Sequence, residues 1–351
     1  MAIRELLSWC MSTDNSAIIN SRQPLQQGGA SRSPRDSGDL NSGGSSGLWW
    51  GLLGVTAFSF TVPFTRIAAE SGTMLPLFIG VGRATVASVL AALLLLVVWL
   101  RGRRPARSSP RPASSLGVRR PTGLQCLRLL VVAGGVVLGF PLLTSYALSQ
   151  TPASHGAVVI ALLPAATAAA AVVRTKERPG LWFWVMVGLS AVLAIVFASV
   201  QGTAFGGLQP ADLLLFGAVV AAAVGYAEGG VLSREIGSWQ TISWALVLSA
   251  PVTIALTVVA VSAAPPSGTA AEWASFAYLG IVSMFLGFLA WYRGLGIGPM
   301  AQVSQVQLTQ PVMSIAWASL LLGERLDWLT IVCGGAVVVS AAATMRTRLR
   351  P

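Results

Sequence analysis

The sequence predicts an all-α integral membrane protein with ten transmembrane helices, arranged as two inverted five-helix repeats. Three observations lead to this fold class: the composition, ten long apolar segments, and a duplication within the chain. Of the 351 residues, 54% are hydrophobic and 10% are charged, whereas a soluble domain carries about 25% charged residues. Such a chain cannot bury its apolar side chains in one aqueous core, so the lipid bilayer must be its solvent.

Ten apolar segments follow a polar N-terminal stretch. Residues 1–47 are rich in Gly, Ser and Arg and are predicted to form a disordered tail, and residues 346–351 a basic tail. Most segments contain 17 to 26 residues, enough for a helix to cross about 30 Å of hydrocarbon. They lie at approximately 48–68, 75–100, 127–149, 152–174, 181–200, 211–234, 240–262, 271–294, 300–322 and 329–345.

A duplication relates the two halves of the chain. Pro164 is followed thirteen residues later by Glu177-Arg178, and Pro311 is followed thirteen residues later by Glu324-Arg325. Every pair is separated by 147 residues. The duplication predicts a first repeat over 48–200 and a second over 211–345, each with five spans. Repeats of this kind are typical of transporters.

The basic residues predict the orientation of the spans. Twenty of them fall in the tails and in the connections on one side, and two fall on the other. The excess predicts that both termini are cytoplasmic. Because each half has an odd number of spans, the two halves must run in opposite directions across the membrane. In such inverted repeats the substrate site lies between the halves near the bilayer midplane.

Several segments resemble the ten-span EamA-type members of the drug/metabolite transporter superfamily. The second copy reads LLLGERLDWLTIVCGGAVVVSAAA, the first reads VVRTKERPGLWFWVMVGLSAVLAIVFA, and LFIGVGRATVASVLAALLLL places an Arg early in the second span. In the first copy Thr175-Lys176 replaces the usual small residues before Glu-Arg. The resemblance covers about 48–345. It implies secondary transport of small metabolites, often export, without ATP.

We therefore expect a secondary active transporter in the bacterial cytoplasmic membrane. We expect it to be an exporter of small metabolites, amino acids or drugs, and not an enzyme. The alternatives are a lipid-modifying membrane enzyme and a channel or scaffold. One His and few, scattered acidic residues disfavour the enzyme.

The expected partners are the lipid bilayer, a small-molecule substrate and, as a candidate coupling ion, the proton. The net charge of +11 is interpreted as membrane orientation, because the Arg residues lie between apolar spans, so no nucleic acid is expected. No cofactor or metal is expected, since no zinc or nucleotide-binding motif is found. A monomer and a homodimer both remain open.

Matched prolines are the first site candidates. Pro164 and Pro311 lie inside predicted spans, where a proline removes a backbone donor and frees a carbonyl. They are candidate hinges beside a central cavity, or ordinary membrane-helix prolines. The Glu177-Arg178 and Glu324-Arg325 pairs are assigned to structural turns, because carboxylates stabilise helix N-termini.

Ionisable residues within spans are expensive and therefore candidate functional groups. Arg83 is either an anion clamp or a structural residue that caps carbonyls. Glu228 is either a protonatable carboxylate that binds a cation or couples proton movement, or a residue paired with Arg234. His155 and its repeat partner Gln302 lie near opposite mouths, as gates or as interfacial residues.

The ninth span carries an unusual number of amides. Gln302, Gln305 and Thr309 share one helical face and predict a cavity wall, or hydrogen bonds between helices; Gln307 lies apart and Gln310 borders the face. Aromatic residues are candidate cavity linings or belt anchors at the membrane interface: Tyr146, Tyr226, Trp291 and Tyr292.

Overall fold

A computed structural model describes residues 39–69, 71–102, 118–148, 159–160, 162–176, 178–200 and 210–322, together with positions 328, 332, 335–336, 339 and 349–350. The predicted tail before residue 39 lies outside the described residues. So do His155, Glu177, Glu324 and Arg325. Arg178 belongs to a two-residue strand, Arg178–Pro179, which pairs antiparallel with Leu349–Arg350.

The described chain is almost entirely helical. Its elements are α1 Asp39–Ser59, α2 Thr61–Ala68, α3 Pro76–Gly102, α4 Gly123–Val132, a π-helix Ala133–Gly139, α5 Phe140–Leu148, α6 Leu163–Thr175, α7 Leu181–Val200, α8 Pro210–Ile236, α9 Ser238–Ala263, α10 Ala270–Tyr278, a π-helix Leu279–Leu286, α11 Gly287–Ile297, α12 Met300–Ser304, a 3₁₀-helix Gln305–Leu308 and α13 Thr309–Leu322.

Six helical stretches within the described residues are long and apolar enough to cross a membrane. They correspond to predicted spans one, two, three, six, seven and eight, so the chain has the architecture of a multi-pass membrane protein. The total of ten spans and the inverted arrangement stay predictions. The six stretches are Ser46–Ala68, Pro76–Arg101, Gly123–Thr144, Ala211–Ile236, Ser238–Ala263 and Ala270–Ile297.

The first span is interrupted at Phe60, where α1 ends and α2 begins. Pro63 explains the interruption, because it has no N–H to donate to the carbonyl of Ser59, four residues earlier. That carbonyl instead accepts a hydrogen bond of 2.7 Å from Ser314 Oγ of α13. The ninth span thus satisfies a backbone group that the proline leaves without a donor.

The third and eighth spans share local features at the offset of the duplication. Thr122 forms a capping box with Gln125 at the start of α4, and Thr269 forms one with Glu272 at the start of α10. A π-helix follows each of these helices, at Ala133–Gly139 and at Leu279–Leu286. The two caps are 147 residues apart, and the two π-helices overlap at the same offset. The two copies of the duplication therefore share local backbone geometry as well as sequence.

The segments that precede α4 and α10 contact opposite ends of α9. This helix is about 39 Å long at 1.5 Å per residue. Near its start, Gln240 Oε1 accepts from Arg119 N at 2.9 Å, just before α4. Beyond its end, Glu272 Oε1 of α10 accepts from Ser71 N at 2.8 Å. The equivalent helices α4 and α10 therefore begin at opposite ends of α9.

Glycines allow α1 and α11 to pack in close contact. A Cβ at Gly294 would lie 2.7 Å from the backbone nitrogen of Gly51, and a Cβ at Gly54 would lie 2.9 Å from that of Trp291. Real side chains do not tolerate such distances, so this helix pair requires glycine at these positions. The contact brings Trp291 into the centre of the helix bundle.

Candidate functional site

An ionic cluster joins the third, fourth and sixth spans at one end of the bundle. Glu228 of α8 accepts hydrogen bonds from Arg128 Nε of α4 and from Arg174 of α6, with Arg174 Nη2 at 3.1 Å. Arg128 Nη1 also donates to Glu235 Oε1 at 2.7 Å. Two guanidinium groups thus neutralise a carboxylate that is 8% exposed, and the cluster fastens three helices to one another.

Of the two alternatives for Glu228, the pair with Arg234 is not formed, because the described partners of its carboxylate are Arg128 and Arg174. Arg234 donates to the carbonyls of Leu295, Gly296 and Gly298, the last at 2.9 Å. These carbonyls lie at the C-terminal end of α11, where a helix leaves acceptors without intrahelical donors. Arg234 lies six residues after Glu228, more than one helical turn away, so its side chain meets α11 instead.

Aromatic rings pack at the centre of the bundle, where Trp291 is fully buried and Tyr226 is 5% exposed. The ring centroids of Tyr226 and Trp291 are 5.5 Å apart, and those of Phe58 and Phe288 are 4.9 Å apart. The indole Nε1 of Trp291 is buried without a hydrogen-bond partner among the described residues. These rings therefore face the protein interior, with one free donor among them, whereas Tyr146 is 53% exposed.

The ninth span changes its winding at the amide-rich segment. Residues Gln305–Leu308 form a 3₁₀-helix between α12 and α13, with three residues per turn instead of 3.6. The face predicted from an α-helical period is therefore not maintained. Gln305 Nε2 donates to the carbonyl of Pro164 at 3.2 Å, and Thr309 Oγ1 donates to the carbonyl of Val306 in the preceding 3₁₀-helix. Gln302 is half-buried.

Gln307, which the sequence set apart from the cavity face, is 2% exposed. Neither of its amide atoms makes a hydrogen bond of normal geometry to a described residue, although the amide lies beside Tyr226. The 3₁₀ turn rotates Gln307 inward. Gln307, Tyr226 and Trp291 form one group, the central polar site, in which the Gln307 amide and the Trp291 indole Nε1 make no hydrogen bond of normal geometry to a described residue.

The matched prolines lie at helix starts. Pro164 is in the first turn of α6, which follows a turn at Leu162, and Pro311 is in the first turn of α13, which follows the 3₁₀-helix. Proline is tolerated at these positions because the first N–H groups of a helix have no intrahelical acceptor. Each proline therefore occupies the first turn of a helical segment, which leaves the hinge assignment a prediction.

A further buried polar side chain, that of Arg83, belongs to α3. Its side chain is 8% exposed, and no described residue forms a hydrogen bond or an ion pair with it; its Nε atom is fully buried. The predicted alternative, a residue that caps carbonyls, is thus not seen among the described residues. Nor does any group of three or more His, Cys, Asp or Glu in the described part of the chain have the placement to hold a metal ion.

Comparison with known proteins identifies the family. The sequence profile of the EamA-like transporter family matches twice, over residues 45–200 and 209–346. The chain belongs to the EamA-like transporter family. It is 40% identical over 297 residues to the "Uncharacterized transporter YdeK" of Bacillus subtilis (strain 168), across 84% of this chain and 96% of that protein.

A solved structure shares the fold of this EamA-like transporter. It aligns with a TM-score of 0.65 and 17% sequence identity over 86% of this chain and 97% of its own chain. At this identity the likeness concerns the fold alone. The two profile matches agree with the duplication seen in the sequence.

Proposed function

We propose that this protein is a secondary active transporter that carries small metabolites across the bacterial cytoplasmic membrane by alternating access. Membership of a transporter family supports membrane transport. The finer mechanism rests on one observation: the two equivalent proline-marked helices are in contact. Gln305 in the ninth span binds the carbonyl of Pro164 in the fourth.

The proposed inverted repeat explains that contact. Equivalent helices of an inverted repeat meet near the symmetry axis, where the substrate site also lies. The equivalent helices α4 and α10 begin at opposite ends of α9, which supports the antiparallel arrangement. The irregular segments before α6 and α13 are places where the backbone can bend without the loss of regular helical hydrogen bonds. In our proposal the central polar site forms part of the substrate cavity.

The ionic cluster has the position of a gate. Arg128, Arg174 and Glu228 come from three spans, at the ends that the basic residues place on the cytoplasmic side. The cluster closes the bundle there, and we propose that it opens when the cavity faces the cytoplasm. Glu228 then serves the gate, rather than holding a cationic substrate, because two guanidinium groups already occupy its carboxylate.

Counterflow in liposomes tests the proposal. Purified protein is reconstituted, the liposomes are preloaded with an unlabelled amino acid, carboxylate or cationic dye, and uptake of the same labelled compound is measured. A carrier gives saturable uptake that the internal compound accelerates. The channel alternative gives linear flux without acceleration, which would refute alternating access. Export is expected from the family resemblance and is tested by lower cellular accumulation of the compound found in this way.

A further inference from the structure

We infer that the substrate carries a carboxylate or another anionic group, and that Arg83 binds this group inside the membrane. The inference rests on the proposed transport function and narrows its substrate class. It excludes substrates whose only charge is positive.

Arg83 is a buried charge for which the described residues provide no counterion. It lies seven residues after Pro76 at the start of α3, about 10 Å along the helix. Its side chain is 8% exposed, so it does not extend into lipid or bulk water. A guanidinium group stays protonated in proteins, so the side chain cannot become neutral. A buried charge is retained when a partner stabilises it, and no described residue provides that partner.

The other buried charges have partners. The structure describes four buried charged side chains: Arg83, Glu228, Glu272 and Arg293. Glu228 is bound by two arginines, Glu272 accepts from the backbone of Ser71 and Thr269, and the Arg293 guanidinium lies 4.7 Å from the ring centre of Trp50. Arg83 alone of these four has no partner among the described residues, and its charge is positive.

Neighbouring polar groups on α3 are already engaged. Thr85 Oγ1 forms a hydrogen bond of 2.9 Å with Thr257 Oγ1, and Ser88 Oγ donates to Leu246 O at 2.9 Å. Behind Arg83, Gly280 packs against the α3 backbone, where an added Cβ would lie 3.4 Å from the Arg83 carbonyl. Neither of these two hydroxyl groups donates to or accepts from the Arg83 guanidinium, so the described part of α3 and its neighbours supplies no partner for it. An arginine fork suits a carboxylate or phosphate oxygen pair.

The first test needs no ligand. The variants Arg83→Gln and Arg83→Met remove an unpaired buried charge, so the thermal unfolding midpoint of the ligand-free protein in detergent should rise by about 3 °C. If Arg83 had a structural role, its replacement would lower the thermal unfolding midpoint. A fall in the midpoint for both variants would overturn the inference. The matched control is Arg101→Gln, at the exposed end of the same helix, with no change expected.

The second test measures substrate class in the counterflow assay. The probes are labelled L-glutamate, L-phenylalanine, benzoate, phosphoenolpyruvate and tetraphenylphosphonium. We expect saturable counterflow of at least one anion-bearing probe and none of tetraphenylphosphonium. For the transported probe, Arg83→Gln should raise the half-saturation concentration at least tenfold. Arg83→Lys should raise it less, and Arg101→Gln should leave it within twofold of the unmodified protein.

The outcomes separate the inference from the proposed function. Counterflow of tetraphenylphosphonium alone, or counterflow of an anionic probe that Arg83→Gln leaves unchanged, would refute the role of Arg83 and leave a transporter. Linear flux of every probe would contradict the carrier itself. Absence of flux for all five probes, from protein that unfolds cooperatively, would count against the anion class.

Discussion

Replacement of Glu228 by Gln should destabilise the protein more than any other single change in the ionic cluster. The substitution keeps the shape of the side chain and removes its charge. Arg128, whose side chain is 15% exposed, would retain only Glu235 as an acidic partner. Removal of one member of a buried ion pair costs about 3–5 kcal/mol. Since the Glu228 side chain is 11% exposed and water reaches it, we expect about 3 kcal/mol, the low end of that range.

The structure also orders the neighbouring substitutions. The Arg174 side chain is 42% exposed and that of Glu235 is 38% exposed. Solvent screens such pairs, so Arg174→Gln and Glu235→Gln should each cost about 0.5–1 kcal/mol. Glu235→Gln is the matched control, because it makes the same chemical change on the same helix.

Chemical denaturation in mixed micelles measures these differences through the fluorescence of the 12 tryptophans. A double-mutant cycle between Glu228→Gln and Arg128→Gln isolates the pairwise interaction. If Glu228→Gln costs no more than Glu235→Gln, or if the two changes in the cycle are additive, the cluster does not hold the three helices together. If the ionic cluster forms only in the closed state, a loss of about 3 kcal/mol in Glu228→Gln would also shift the equilibrium between closed and open states about 100-fold toward the open state.

Three further predictions concern stability and transport. Gln307→Leu should reduce counterflow at least tenfold without a lower unfolding midpoint, because it removes buried amide atoms that have no hydrogen-bond partner among the described residues; a lower midpoint with normal counterflow would contradict the central polar site. Gly294→Ala should lower the free energy of unfolding by at least about 2 kcal/mol, because the added methyl group would clash with α1. Gly188→Ala, with open space around it, should raise the free energy of unfolding by about 0.5–1 kcal/mol. Equal effects of the two substitutions would rule out the close packing of α1 and α11. Thr122→Ala and Thr269→Ala should each cost about 1 kcal/mol through the lost caps, and denaturation curves that do not move would show that the caps contribute little.

Much of the membrane architecture was predictable because it depends on the hydropathy and length of local segments of the sequence. Mean hydropathy and segment length decide whether a helix can cross a bilayer, and six of the predicted spans are present within the described residues. The register of 147 residues was predicted from Pro164 and Pro311. The same register then appeared in the structure, in the capping residues Thr122 and Thr269.

The candidate site was less predictable, because its geometry departs from the ideal helix. Gln307 was set apart on the assumption of 3.6 residues per turn, and the 3₁₀ segment before Pro311 turned it inward. The prolines were expected inside spans, as hinges or as ordinary membrane-helix prolines, and each lies in the first turn of a helical segment. Periodicity alone does not show such changes of winding, since they depend on which neighbouring helix can satisfy the freed carbonyls.

By itself the sequence indicated that the protein lies in a lipid bilayer, which family it belongs to, that its two halves are duplicated, and which residue types are available within the membrane. Only the tertiary structure decided which charges meet. Glu228 lies 100 residues from Arg128 and 54 from Arg174, and their contact depends on the packing of three helices against one another. Within the described residues, the same packing gives the Arg83 side chain no hydrogen bond or ion pair. Charge pairing over such separations is a property of the folded chain, because the neighbouring helix decides which groups a side chain meets.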